Sequence, residues 1–243
     1  MAAKNKFMNA MKMPAIADMF SSEADRQRES GDLVTEVPLS ELHPFVNHPF
    51  EVRDDEDMQK LVDSIKENGV LTNLTVRPRA EGGYEIISGH RRFHAAQLAG
   101  LDKIKVQVRD VDDDQAIIDM VDANIQREHI SPMEKARALK MKNEAMKRSA
   151  GRRKENGCQL DTHFPEAKTA TQIGADVGES PKQIFRYIRL NELIPELQKK
   201  VDSNTLKFNP AVELSYLTPD EQQSFLDYAE AQDCTPSLSQ AQK

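Results

Sequence analysis

Tyr84 to Ile87 is a short β-branched run, Arg91 to Ala99 carries good helix formers, and Gly89-His90-Arg91-Arg92 spans the junction. A chain that turns through glycine into a helix presents free backbone N–H groups and the positive end of the helix dipole. Two guanidinium groups at that turn add charge-assisted donors and make it a seat for a polyphosphate. A solvated basic helix start uses the same residues, because a lone glycine carries far less than a full Gly-rich loop. A second polar position lies downstream. Ile117, Met120 and Val121 form a helical stripe whose next turn lands on Asn124. A polar side chain there must find a partner. It can hydrogen-bond the nearby backbone, or point into the cavity of the Gly89 turn and hold a metal or a phosphate oxygen.

Two further stretches point to nucleic acid. Between residues 134 and 155 the net charge is +6 in a chain of net −7. Such a run is either a solvated face or a contact for a phosphate backbone, here through Lys140 and Arg148. Thr169 to Leu190 follows helix-turn-helix grammar. Gly174 permits close helix packing, Gly178 makes the turn, Ser180-Pro181 opens the next helix, and Ile173, Val177, Ile184 and Ile188 face inward. That second helix offers Ser180, Lys182, Gln183, Arg186 and Arg189 to base edges and phosphates. A plain helical hairpin is the competing reading.

The elements that position these residues are legible in order. Residues 1–34, with Phe7, Met8, Met11, Ile16, Met19 and Phe20 interrupted by Pro14, read as a disordered tail. Val37 to Arg53 is extended on its proline content. Asp54 or Asp55 caps a helix over Met58, Leu61, Val62 and Ile65 that Asn68-Gly69 ends. Strands are expected over Leu71–Arg77, Tyr84–Ile87 and Lys105–Arg109, and a capping box runs from Asp112 to Gln115. Ser131-Pro132 opens the basic helix, Gly157 to Lys168 reads as a loop, and further helices follow from Leu193 to Leu226.

Composition narrows the classes. Hydrophobic residues make up 38% and aromatics 5% of 243 residues, with no Trp, so the core is aliphatic and split. No apolar run approaches a membrane span, and no signal-peptide core is present. Cys158 and Cys234 lack metal-ligand spacing, which suits a reducing cytoplasm. The acidic total excludes a protein that merely coats nucleic acid.

In order and spacing, Glu51-Val52-Arg53, Gly89-His90-Arg91-Arg92, Asn124-Ile125-Gln126-Arg127 and the helix-turn-helix resemble ParB-type chromosome or plasmid partition proteins, from about Val37 to about Leu217. The resemblance implies an α+β fold: a ParB/sulfiredoxin-like nucleotide-binding domain over 35–128, an all-α helix-turn-helix DNA-binding domain over 129–232, and a tail over 233–243. It implies CTP and Mg²⁺ as ligands, with Arg53, Gly89, His90, Arg91, Arg92, Gln126 and Arg127 at the nucleotide and Asn124 at the metal. It also implies a cytoplasmic, nucleoid-associated homodimer that clamps double-stranded DNA at a palindromic centromere-like site. A ParA-type ATPase would meet the tail, and a membrane is not expected. Three positions depart from the family pattern. Glu51 stands for a glutamine, and His90 and Ala123 stand for glutamates, so binding carries over more securely than hydrolysis and any CTPase activity is expected to be weak. The family's small C-terminal dimerisation domain is not evident before Lys243. Competing classes are a helix-turn-helix transcriptional regulator with a ParB-like dimerisation unit, and a small-molecule kinase of the sulfiredoxin-like fold.

Overall fold

The computed structural model describes residues 33–127, 130–154 and 165–231. The amphipathic stretch of the tail, both cysteines and the tail over 233–243 lie outside them. The first unit is a five-stranded sheet: β1 (Leu33–Pro38), β2 (Leu42–His43), β3 (Leu74–Pro78), β4 (Tyr84–Ser88) and β5 (Lys103–Val108), in the order β1-β5-β3-β4-β2. Helix α1 (Glu56–Asn68) separates β2 from β3, α2 (His90–Leu98) separates β4 from β5, and α3 (Asp113–Ile125) follows β5. A helical unit comes next: α4 (Pro132–Lys154), α5 (Pro165–Val177), α6 (Pro181–Arg189), α7 (Pro195–Asp202), α8 (Phe208–Leu214) and α9 (Pro219–Ala231).

Strand β1 begins inside the stretch read as tail, with Leu33 opposite Val108 and Val34 opposite Gln107. Its pairing comes from about seventy residues away, which local sequence does not announce. β3 starts at Leu74 rather than Leu71, because the Thr72 and Asn73 carbonyls accept from the Arg92 guanidinium at 2.6 and 2.8 Å. β5 starts at Lys103 and ends at Val108, and α5 begins at Pro165, within the expected loop.

Adjacent residues on β4 face opposite ways, as the strand period requires. Ile86 joins the sheet core with Leu74, Val76, Phe93 and Val106. Ile87 joins a second cluster with Phe45, Phe50, Met120, Leu139, Ile173 and Ile184, which runs through α3 and α4 into α5 and α6. That cluster crosses the expected domain boundary at 128, so apolar contact ties the sheet to the helical unit. A third cluster packs α7, α8 and α9 on Met133 and Ala136 of α4. Arg77 closes the sheet's other link: it meets its cross-strand partner Glu85 at 2.6 Å and Asp113 at the start of α3 at 2.7 Å.

Candidate nucleotide cleft and nucleic-acid interface

Gly89 sits at φ +105, and a Cβ there would lie 2.9 Å from the Leu74 side chain and 3.3 Å from the Arg92 guanidinium. Both the left-handed backbone and the close approach demand glycine. No side chain caps the helix that starts here and its first turn holds no acidic residue, whereas Asp55, Asp112 and Ser180 each cap their own helices. The α2 N-terminus therefore keeps the anion-attracting character expected of it.

Next to it opens a cleft of about 250 Å³, lined by Arg53, Arg91 and Arg127, by the carboxylates Glu51, Asp55, Asp57 and Glu134, and by Phe50 and Ile130. Three predicted site residues, Arg53, Arg91 and Arg127, thus converge. Desolvation and the positive charges of Arg91 and Arg92 lower the Arg127 pKa, with Glu134 opposing. Cations that repel one another across a small cleft are relieved by an anion. Some negative charge is already present. Glu51 accepts from Arg53 Nε at 3.3 Å, Asp55 from Arg91 at 3.4 Å, and Glu134 from the Glu51 and Ser131 amides at 2.9 Å each. The Arg53 and Arg91 contacts are long and exposed, so those guanidinium groups can turn to a ligand.

The other predicted positions are placed differently. Arg92 is half-buried behind the turn and holds the β3 entry, and Gln126 is exposed at the end of α3. His90 is buried and does not line the cleft. Its Nε2 accepts the Phe45 amide at 3.2 Å, which puts the ring proton on Nδ1. The ring stacks on His48 at 3.8 Å, and burial, with His48 and Arg127 nearby, pushes its pKa down to about 3. His90 is a neutral scaffold for the 45–50 segment. Sequence gave no signal of this pairing, because His48 lies forty-two residues upstream.

Asn124 makes the backbone hydrogen bond foreseen for it and leaves its side-chain oxygen open. Its Nδ2–H donates to the Met120 carbonyl at 2.7 Å, while its buried Oδ1 has no partner among the described residues. The described residues contain no cluster of His, Cys, Asp and Glu able to hold a metal alone. A cation here would need oxygens from elsewhere, as a metal carried by phosphates has. An orphaned buried oxygen and a cradle that only glycine allows both fit a metal–triphosphate.

The helix-turn-helix is built as its sequence suggests. The Gly174 carbonyl accepts from Glu179 N–H at 2.9 Å, and a Cβ on Gly174 would come within 2.4 Å of the Glu179 carbonyl oxygen. Ser180 Oγ caps α6 through the Gln183 amide. Lys182 is exposed on α6. Arg186 is held by Gln183 at 3.2 Å and Asn209 at 2.6 Å. Arg189 donates to the Ser215 carbonyl at 2.8 Å and lies over the Tyr216 ring.

Several cations of the basic helix α4 are paired within the fold, the exposed Lys140 only by a 3.4 Å contact. Lys135 pairs with Glu179, Lys140 with Glu192, Lys142 with Asp122 and Asp176, and Arg148 with the buried Asp114. Much of its charge ties α3, α5 and the turn before α6 together. The side chains of Arg152, Arg153 and Lys154 fall outside the described set.

An α+β unit bearing an arginine-lined cleft, joined through a shared core to a helix-turn-helix, defines the class. Residues 23–125 match the family described as the ParB N-terminal domain. A "probable chromosome-partitioning protein ParB" of Neisseria meningitidis serogroup A is 39% identical over 193 residues, covering 79% of this chain and 60% of that protein. The "chromosome-partitioning protein Spo0J" of Thermus thermophilus is 28% identical over 193 residues, covering 79% and 64%. Among solved structures, the C-terminally truncated ParB of Caulobacter crescentus, complexed to the centromeric parS site, matches with a TM-score of 0.51 at 22% identity, covering 86% of this chain and 96% of that one. The chain thus carries a segment matching the ParB N-terminal domain and is similar, over about four fifths of its length, to chromosome-partitioning proteins. It spans about 60% of the length of these curated relatives.

Proposed function

We propose that the protein binds CTP with Mg²⁺ at the Gly89 cleft and a specific double-stranded DNA site through α6, and that it acts as a homodimeric partition clamp. The observation that carries this is the convergence of Arg53, Arg91 and Arg127 beside the uncapped start of α2. Backbone N–H groups and guanidiniums would take the phosphates, and Asn124 Oδ1 would meet the metal they carry. Cytosine as the base, dimerisation, clamping and nucleoid localisation are carried over from the resemblance to ParB-type partition proteins. DNA recognition is supported by the geometry of α5 and α6 and by the relatives' partitioning role.

The test is calorimetric titration of the four nucleoside triphosphates with Mg²⁺. CTP should bind, and Arg91→Ala should weaken it at least about tenfold, the value of one charge-assisted contact of roughly 1.5–3 kcal/mol. Among the described residues the one ion pair of Arg91 is a 3.4 Å contact with the exposed Asp55, so the variant should stay folded. CTP affinity untouched in folded Arg91→Ala would remove the cleft from the nucleotide site.

On DNA, Arg186→Ala should lower the ratio of specific to nonspecific affinity, because Gln183 and Asn209 hold that guanidinium in one position. Lys140→Ala should instead weaken all sequences alike and flatten the salt dependence. Arg148 is tied to Asp114, so Arg148→Ala should also cost stability. Filter binding at several salt concentrations separates these outcomes; an unchanged ratio in Arg186→Ala would count against α6 as the reading helix.

A further inference from the structure

Phe185 is 39% exposed on α6, one of few large apolar side chains left open. It lies one turn beyond Lys182 and one before Arg189, turned away from the face on which Ile184 is fully buried. With Lys182, Arg186, Ile188, Arg189 and Tyr216 it lines an open groove whose one carboxylate, Glu192, is paired with Lys140. Its cationic neighbours are held in place: Arg186 by Asn209 and over the Phe208 ring, Arg189 by Ser215 and over the Tyr216 ring. Phe185 has no hydrogen-bonding group and no intramolecular pocket that closes over it.

An apolar group between fixed guanidiniums suits a polyanion with an apolar spot at that point. On the major-groove edge of DNA the apolar spot is the C5-methyl of thymine, and phenylalanine is among the side chains that meet it. An acidic protein partner would satisfy the cations but offers no fixed apolar spot for the Phe185 ring beside them. We propose that Phe185 reads a thymine methyl in the DNA site and is a specificity-determining residue of this protein. This rests on the DNA-binding reading above and adds to it the base that the site must contain.

The test starts by selecting sites from a randomised duplex library with the full chain. The selected duplex is then remade with each thymine replaced in turn by deoxyuridine, which removes the methyl and nothing else. At one thymine per half-site, wild type should lose about fourfold in affinity, the value of burying one methyl group. Phe185→Ala should bind the thymine and deoxyuridine duplexes equally, with an unchanged melting temperature. Selected sites with no fixed thymine, a wild type indifferent to every replacement, or a Phe185→Ala that still distinguishes thymine would each overturn the proposal while leaving DNA recognition intact. Failure to select any preferred sequence would overturn DNA recognition and this proposal together.

Discussion

Replacing Lys142 by alanine is expected to destabilise the fold by about 3 kcal/mol, at the low end of what breaking a buried ion pair costs. The side chain is 2% exposed, and its ammonium contacts Asp122 at 2.6 Å and Asp176 at 2.7 Å. Asp122 belongs to α3, Asp176 to α5 and Lys142 to α4, so one charge fastens three helices. The two carboxylates are each nearly half exposed and can recover water once the ammonium is gone, which limits the loss. What cannot be recovered is the burial of its four methylenes. For a protein of this size the change corresponds to a fall of roughly 10 °C in melting temperature. Lys142→Met, which keeps most of the volume, should restore part of it, and Asp122→Asn should cost much less because Asp176 still holds the ammonium. Urea unfolding of the three variants measures the series. If Lys142→Ala lies within 0.5 kcal/mol of wild type, on the order of an ordinary surface substitution, the three-helix tie is not structural.

Lys142 also shows where sequence reading stops. Within α4 its lysine is one of nine cations and nothing local separates it from Lys140 or Lys147. Only the fold brings Asp122 and Asp176 to it. The features that were legible are those whose cause lies within a few residues: Asp55, Asp112, Ser131 and Ser180 cap helices at their expected places, because a cap needs only the next turn. Gly89 and Gly174 were legible too, since the sequence around each already demands a turn or a close approach. Sheet order was not, because β1 pairs with β5 across the whole unit. The cleft was half legible. Arg53, Arg91 and Arg127 belong to motifs with recognisable spacing, but that His90 faces Phe45 depends on the 45–50 segment folding back over the start of α2, and that Arg92 faces Thr72 and Asn73 depends on where β3 enters the sheet.

That segment makes the protein acid-sensitive. Above pH 6.5 His90 is neutral in both folded and unfolded chains and contributes no pH dependence. Its folded pKa of about 3 lies below the ordinary 6.5, so between these values the unfolded chain binds a proton that the native one refuses. Stability is therefore full above pH 6.5 and is lost as pH falls toward 3, at about 1.4 kcal/mol per pH unit. Burial lowers the His48 pKa as well, with its bond to the Phe50 carbonyl opposing, so it adds loss in the same direction. Between pH 7.5 and 5.5, where native carboxylates stay ionised, the expected loss from His90 alone is about 1.4 kcal/mol, and by pH 4 it reaches on the order of 3 kcal/mol. His90→Gln keeps an acceptor for the Phe45 amide and carries no titrating group. Its unfolding free energy should be flatter over pH 7.5 to 5.5 by about that 1.4 kcal/mol. The same protonation would loosen Phe50 and Glu51 on the cleft wall, so, on the proposed nucleotide reading of the cleft, affinity for CTP should fall with acid in wild type more than in His90→Gln. Parallel pH profiles for the two proteins would show that His90 is solvated in the native state and that the 45–50 segment does not depend on its neutral ring.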